Sequence, residues 1–322
     1  MRRAAFSLAA LGAATLLSGC VAGALPYAAE AVARNMGQRQ QAAAAPLLPE
    51  APPVDEAPDT MRWLYGSGEA AALSIQVFRG LADYAIATAA SNPADSVILA
   101  EGATPDLPRF VPCGSKPKAA VFDVDETVLM NLGYEYWATK TRRGYVSEVW
   151  DEWERTGYDA VAPVPGAVTA LRRLRDAGIT VVFNTNRKAA NAASTERALV
   201  NAGLGPAVHG ETLFLSGDAP GGSAKDPRRA IIASRYCVVA MGGDNLGDFS
   251  DAFNAKTLAS GARRALAGSG APAQRLWGEG WFVLPNPVYG PSLAGKLDET
   301  FPANVRWEPA TTTTPPSSGD TQ

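Results

Sequence analysis

Two aspartates one residue apart close an apolar run in "KAAVFDVDETVL", residues 118–129, which puts Asp123 and Asp125 where a strand should stop. Buried strands do not end in paired negative charge unless something positive is held against it. Three further clusters offer partners: Thr185 in "FNTNR", Lys225 in "GGSAKDPRR", and Asp244 with Asp248 in "GGDNLGDF". Each alone says little. A DxD recurs by chance, an Asp after a strand is often a helix cap, and a lone lysine is usually a solvated surface residue. Together, in this order, they supply carboxylates, a hydroxyl and an ammonium. That set suits attack on a phosphate monoester. Such a substrate is an anion that a bare carboxylate does not approach, and a bound divalent cation supplies the missing positive charge.

Other hydrolytic chemistries have too few residues to draw on. The chain holds one histidine, His209, in "PAVHGETLF". Histidine phosphatases and vanadate-type acid phosphatases need more than one, and a zinc site without histidine needs more than three cysteines. No GxSxG elbow supports a serine hydrolase. "GGSAKD" lacks the GK[ST] ending of a nucleoside-triphosphate loop. His209 itself reads as a surface or loop residue. A net charge of −3 without a long Lys/Arg run gives no basic face for a nucleic-acid polymer.

The elements must bring these clusters to one edge. "GEAAALSIQVFRGLADYAIATAA", residues 68–90, has apolar residues at helical spacing and strong helix formers. Beyond it, the strands "AAVFDV", "ITVVFNTN", "TLFLS" and "CVVAMGGD" alternate with the helices "AVTALRRLRDAG", "AANAASTERALVNAG" and "KDPRRAIIASRY". The alternation predicts an α/β fold with a doubly wound parallel sheet. Ligands of such sheets sit at the carboxyl ends of strands, where every cluster above falls. Between the first strand and the break at Pro163 and Pro165 lies an aromatic segment, predicted to form a small helical lid over about 131–163. Most of its Tyr134, Tyr136, Trp137, Tyr145, Trp150, Trp153 and Tyr158 are expected to build the lid's own core. An aromatic face there also suits stacking on a nucleobase. Glu126 and Thr127 are predicted to cap the turn after the aspartates.

The ends have a different character. "MRRAAFSLAALGAATLLSGC" has two arginines, a short apolar run and small residues, the pattern of an exported chain's signal peptide, residues 1–19. Its Leu17-Ser18-Gly19-Cys20 ending resembles a bacterial lipoprotein cleavage box, with Cys20 as the lipidated residue and Val21 favouring the outer membrane. Residues 20–60 read as a tether and 307–322 as a disordered tail. Export implies an oxidising compartment. Cys113 and Cys237 then either form a disulfide or remain two buried thiols.

The ordered set "FDVDETVL", "PVPGA", "TNRK", "SAKDPRR", "GDNLGDF" and "LPNPVYG" resembles the haloacid dehalogenase (HAD) superfamily, and within it the class C bacterial acid phosphatases, over roughly residues 60–306. The resemblance implies a HAD-like Rossmannoid domain, 61–306, with Mg²⁺ held by Asp123, the backbone carbonyl of Asp125, and Asp244. It implies Asp123 as the nucleophile that forms an aspartyl-phosphate. Asp125 would be the acid and then the base, with Lys225 and Thr185 on the phosphoryl oxygens. Asp248 is expected to support the metal or orient Lys225, with Asn186 and Asn245 behind. For substrate, the resemblance implies a base sandwich between Tyr289 and one lid aromatic, Trp153 or Trp150. Pro291-Ser292 follows Tyr289-Gly290 where that family often carries another aromatic. The implied function is hydrolysis of small phosphomonoesters at acidic pH, nucleoside 5′-monophosphates together with simple aryl phosphates. Sugar phosphates, or a non-catalytic surface-binding lipoprotein, are the alternatives. Members of that family are often outer-membrane lipoproteins and often dimers.

Overall fold

The structure, a computed structural model, describes residues 56–308 apart from position 269. The signal peptide, Cys20, most of the tether and the tail from 309 lie outside the described residues.

Along the chain run α1 (Asp59–Gly66), α2 (Gly68–Ala90), β1 (Asp95–Leu99), β2 (Phe110–Pro112), β3 (Lys118–Phe122) and β4 (Leu129–Met130). Next come α3 (Leu132–Thr141), α4 (Ser147–Thr156), β5 (Ala162–Pro163), α5 (Ala167–Asp176), β6 (Thr180–Lys188) and α6 (Ala192–Asn201). The described chain closes with β7 (Leu213–Ser216), α7 (Asp226–Arg235), β8 (Cys237–Gly243), α8 (Ser260–Ala267), β9 (Trp281–Val283) and α9 (Leu297–Thr300). The main sheet has the order β7-β6-β3-β8-β9, and all its pairings are parallel. β3 is central, so the residues that follow it emerge between β6 and β8.

Strand alternation decides what covers each face. Ala120 and Phe122 point into a core with Phe78 and Leu81 of α2, Leu171 and Leu174 of α5, and Leu199 of α6. Ala119 and Val121 point the other way, against Ile232 of α7, Val97 and Ile98 of β1, and Phe249, Phe253 and Trp281. Both faces are therefore buried, which is why β8 is buried throughout and why its sequence is apolar without alternation. The predicted doubly wound parallel sheet is the fold observed. α2 spans the predicted 68–90, with the Ser67 hydroxyl accepting from Ala70 N at its start.

Several elements have no sequence-based counterpart. β1 and β2 form an antiparallel pair beside the sheet. β9 adds a fifth strand, held by Trp281, whose Nε1 donates to the Val97 carbonyl at 2.9 Å. α1 begins at Asp59, inside the stretch assigned to the tether.

The lid is helical, as predicted. β4 pairs with β5 to make its neck, and α3 and α4 lie between them. Glu154 ties the lid to the sheet. Its Oε2 accepts from Lys188 N at 3.0 Å and from Asn191 Nδ2 at 2.8 Å. Of the two alternatives for the cysteines, the structure has the disulfide: Cys113 and Cys237 are bonded, with Cα atoms 4.6 Å apart. Cys237 opens β8, so the bond lies at the amino end of the sheet, opposite the clusters described next.

Candidate active site

Asp123 follows β3, and its backbone N–H donates to the Gly242 carbonyl of β8 at 3.0 Å. Asp244 follows β8 directly. Lys225 stands at the start of α7, where its N–H donates to Asp251 Oδ1 at 2.8 Å. Arg229, one turn into that helix, donates to the carbonyls of Gly247 and Asp248 at 2.9 and 2.8 Å. The loop carrying Asp248 is thereby locked to the helix carrying Lys225. The Lys225 ammonium lies 2.5 Å from Asp123 Oδ1 and 2.7 Å from Asp248 Oδ1, and all three side chains are under a tenth exposed.

Carboxylate oxygens of Asp123, Asp244 and Asp248 lie within 4.8 Å of one another. One ammonium faces one buried and two half-buried carboxylates, and the electrostatics record the imbalance. Burial, reinforced by Asp248 and Asp125, pushes the Asp123 carboxyl up to about 7 against the opposing pull of Lys225. Burial, then Asp248 and Asp123, pushes Asp244 well above the carboxylate range. Burial acts to lower the Lys225 ammonium, but Asp123 and Asp248 outweigh it and the net shift is upward. A cluster of hard oxygen donors with surplus negative charge fits a small divalent cation. Asp248 stands beside Lys225, one of the two places expected for it, and its carboxylate also joins the other two in the cluster.

Asp244 is held from two sides, by Thr127 Oγ1 at 3.1 Å and Asn286 Nδ2 at 2.6 Å. Asp125 turns its side chain away from the cluster. Its Oδ1 accepts from Arg187 Nε at 2.9 Å and from Asn131 Nδ2 at 3.0 Å, and its Oδ2 lies 3.4 Å from the Thr185 hydroxyl. Arg187 is 2 % exposed and also donates to Asn131 Oδ1 at 2.7 Å. Asp125 is thus fixed by a buried guanidinium and an amide that nothing in the sequence analysis had assigned.

Glu126 and Thr127 do not have the predicted capping role. Thr127 orients Asp244, as above. Glu126 adopts a left-handed backbone with φ 52° and is 2 % exposed. Its carboxyl accepts from Asn131 N at 2.8 Å, from Tyr65 of α1 at 3.2 Å, and from the Tyr289 hydroxyl. The tight turn between β3 and β4 directs this side chain inward, where burial pushes it to about 7. A backbone in this region is strained for a non-glycine residue, and such strain collects at functional sites.

A cavity of about 570 Å³ opens above the aspartates. Its floor carries Asp123, Asp125 and Lys225, and its walls include Tyr134, Glu135, Tyr145, Trp150 and Tyr289. Trp150 therefore lines the cavity and Trp153 does not. The Trp153 ring instead fills space over Gly133 and Gly157, where a Cβ on either glycine would collide with it. Asn186 and Asn245 also reach the cavity. Asn186 accepts from Arg228 Nη2 at 2.5 Å, and Asn245 accepts from Gly247 N at 2.9 Å in the turn that presents Asp248. His209 stands apart from the cavity and pairs with Asp218 at 2.8 Å.

Residues 79–292 match the family described as HAD superfamily, subfamily IIIB (acid phosphatase). That span covers more than half of the chain, and with the sheet and the site it defines a phosphomonoesterase of the HAD type. The chain belongs to this acid phosphatase family. Among solved structures, it is similar to the class C acid phosphatase from Bacillus anthracis with tungstate bound, at 25% identity and a TM-score of 0.57, over 72% of this chain and 84% of that one. A second structure of the class C acid phosphatase from Bacillus anthracis matches over the same shares, at 24% identity and a TM-score of 0.57.

Proposed function

We propose that the protein is a Mg²⁺-dependent acid phosphatase that hydrolyses small phosphomonoesters, nucleoside 5′-monophosphates among them, through an aspartyl-phosphate on Asp123. The observation that carries this reading is the buried triangle of Asp123, Lys225 and Asp248 beneath the cavity. A nucleophilic carboxylate is held there beside the one ammonium that meets a phosphoryl group.

Asp123, Asp244 and the backbone carbonyl of Asp125, with Asp248 in the same cluster, would hold the cation, which when bound would neutralise carboxylate charge and draw in the phosphate. An oxygen of Asp123 attacks phosphorus while the bond to the ester oxygen breaks. Asp125 gives that leaving oxygen its proton, so the products of this step are the alcohol and the acyl phosphate on Asp123. Asp125 then takes a proton from water as the water oxygen attacks the same phosphorus, and Asp123 leaves as a carboxylate with phosphate released. Lys225 bears on the charge that develops on the phosphoryl oxygens, and Thr185 donates a hydrogen bond. Arg187 and Asn131 keep Asp125 aimed through both proton transfers.

The cavity is of the size that small-molecule sites have, about 300–1,000 Å³, and its aromatic wall of Tyr145, Trp150 and Tyr289 suits a base or an aryl group. This is the support for nucleoside monophosphates and aryl phosphates as substrates. Within this proposal Trp150 takes the place of Trp153 as the lid partner of Tyr289. The amino-terminal pattern ending at Cys20 supports export and lipid anchoring at the outer membrane. Trapping tests the mechanism. Enzyme quenched in acid during turnover of a ³²P-labelled substrate should carry label at Asp123, and label at another residue would sink the assignment.

A further inference from the structure

The cavity wall holds an acidic side chain, Glu135, for which the reaction above has no use. Glu135 lies in α3 next to Tyr134 and one turn before Ala138, and all three line the cavity. It is 7 % exposed, yet no donor among the described residues hydrogen-bonds its carboxyl group. Glu126, the buried acid whose charge it feels, differs in this respect, because Tyr65, Asn131 and Tyr289 all donate to it. Buried carboxyl groups are normally paired. Glu135 instead feels burial and the repulsion of Glu126, which together push it to about 7. A lid helix that only needed to pack would hold Ala or Leu here. The side chain is therefore an acceptor waiting for a donor, and the cavity is where that donor would arrive.

We propose that Glu135 is a specificity-determining hydrogen-bond acceptor, favouring phosphomonoesters whose leaving group presents a vicinal diol or an ammonium over those whose leaving group presents neither. The inference rests on the phosphatase reading above. Two sources share the required chemistry, the vicinal hydroxyls of a ribose and the ammonium of an amino alcohol. Protonated or not, Glu135 keeps an accepting oxygen, so the selection does not depend on its charge state. The aromatic side chains around it supply apolar contact to the rest of the leaving group, and Glu135 supplies the polar anchor.

The test compares kcat and KM of the full chain and of Glu135→Gln and Glu135→Leu, with Mg²⁺, on four substrates. AMP carries the diol, 2′,3′-dideoxy-AMP lacks it, phosphoethanolamine carries the ammonium, and phenyl phosphate carries neither. Leaving a buried hydrogen-bonding group unpaired corresponds to about tenfold to a hundredfold. Glu135→Leu should lower kcat/KM by that factor on AMP or on phosphoethanolamine, mainly through KM. The loss on dideoxy-AMP and phenyl phosphate should be at least about tenfold smaller. Glu135→Gln, which keeps an acceptor, should restore most of the loss. The substrate that suffers identifies the donor. An equal loss on all four, or no loss on any, overturns the proposal. If the wild type cleaves phenyl phosphate but not AMP, the nucleotide reading fails while the phosphoethanolamine result still judges Glu135. Cleavage of phenyl phosphate alone overturns both.

Discussion

Replacing Lys225 by methionine removes the one ammonium from the carboxylate cluster while keeping most of its volume. Lys225 stands 2.5 Å from Asp123 and 2.7 Å from Asp248, with side chains 6, 9 and 7 % exposed respectively. Breaking a buried pair by deleting one partner costs about 3–5 kcal/mol, which for a domain of this size lowers Tm by roughly 10 °C. In the metal-free protein the cost should depend on pH. The folded-state Asp123 carboxyl lies at about 7 instead of 3.8. The stability tied to its proton is therefore complete at low pH and lost as pH rises through 7. At pH 5 Asp123 carries that proton and makes less demand on Lys225; at pH 8 it is charged and Lys225 is the one cation paired with it among the described residues. Thermal melts in EDTA should show a larger Tm deficit for Lys225→Met at pH 8 than at pH 5. With Mg²⁺, kcat should fall by about 10²–10³-fold, the effect of removing one preorganised charge donor. A loss of kcat below tenfold, or a Tm deficit equal at both pH values, would refute the account of Lys225 as counter-charge to Asp123.

Three further outcomes are expected. Arg187→Lys, which loses the two-nitrogen grip on Asp125, should slow AMP much more than p-nitrophenyl phosphate, because only the poorer leaving group depends on the proton from Asp125; steady-state rates on both substrates check this. Replacing Cys113 and Cys237 by serine opens a bond that spans 124 residues and should lower stability by about 2–4 kcal/mol in denaturant titrations. Gly157→Ala forces a methyl group against the Trp153 ring and should destabilise the lid by about 1–3 kcal/mol, visible as faster amide exchange over residues 132–156.

What could be read in the sequence follows from how local each feature is. That Asp123, Asp125, Lys225 and Asp244 gather at one cavity was legible because each sits in a contiguous motif at the end of a strand or the start of a helix, and the topology brings such ends together. Asn131, Arg187 and Asn286 act through partners 5 to 62 residues away. Their types alone carry no signal, although Arg187 lies within the quoted "TNRK". Glu126 has the look of a capping residue because caps and buried acceptors use the same side chains, and only the left-handed turn separates them. Trp150 and Trp153 lie one turn apart on α4, and which of them faces the cavity is decided by Gly133 and Gly157, a packing fact with no linear signature. β9 is three residues long among glycines and aromatics, too short for its period to show.

The most direct test of the central claim is phosphate release from AMP and p-nitrophenyl phosphate at acidic pH, measured with Mg²⁺, with EDTA, and with Asp123→Asn. The account predicts turnover with Mg²⁺, loss of turnover in EDTA that is restored by adding Mg²⁺ back, and no turnover by a folded Asp123→Asn protein. Full activity in EDTA, or turnover by Asp123→Asn near the wild-type rate, would contradict it.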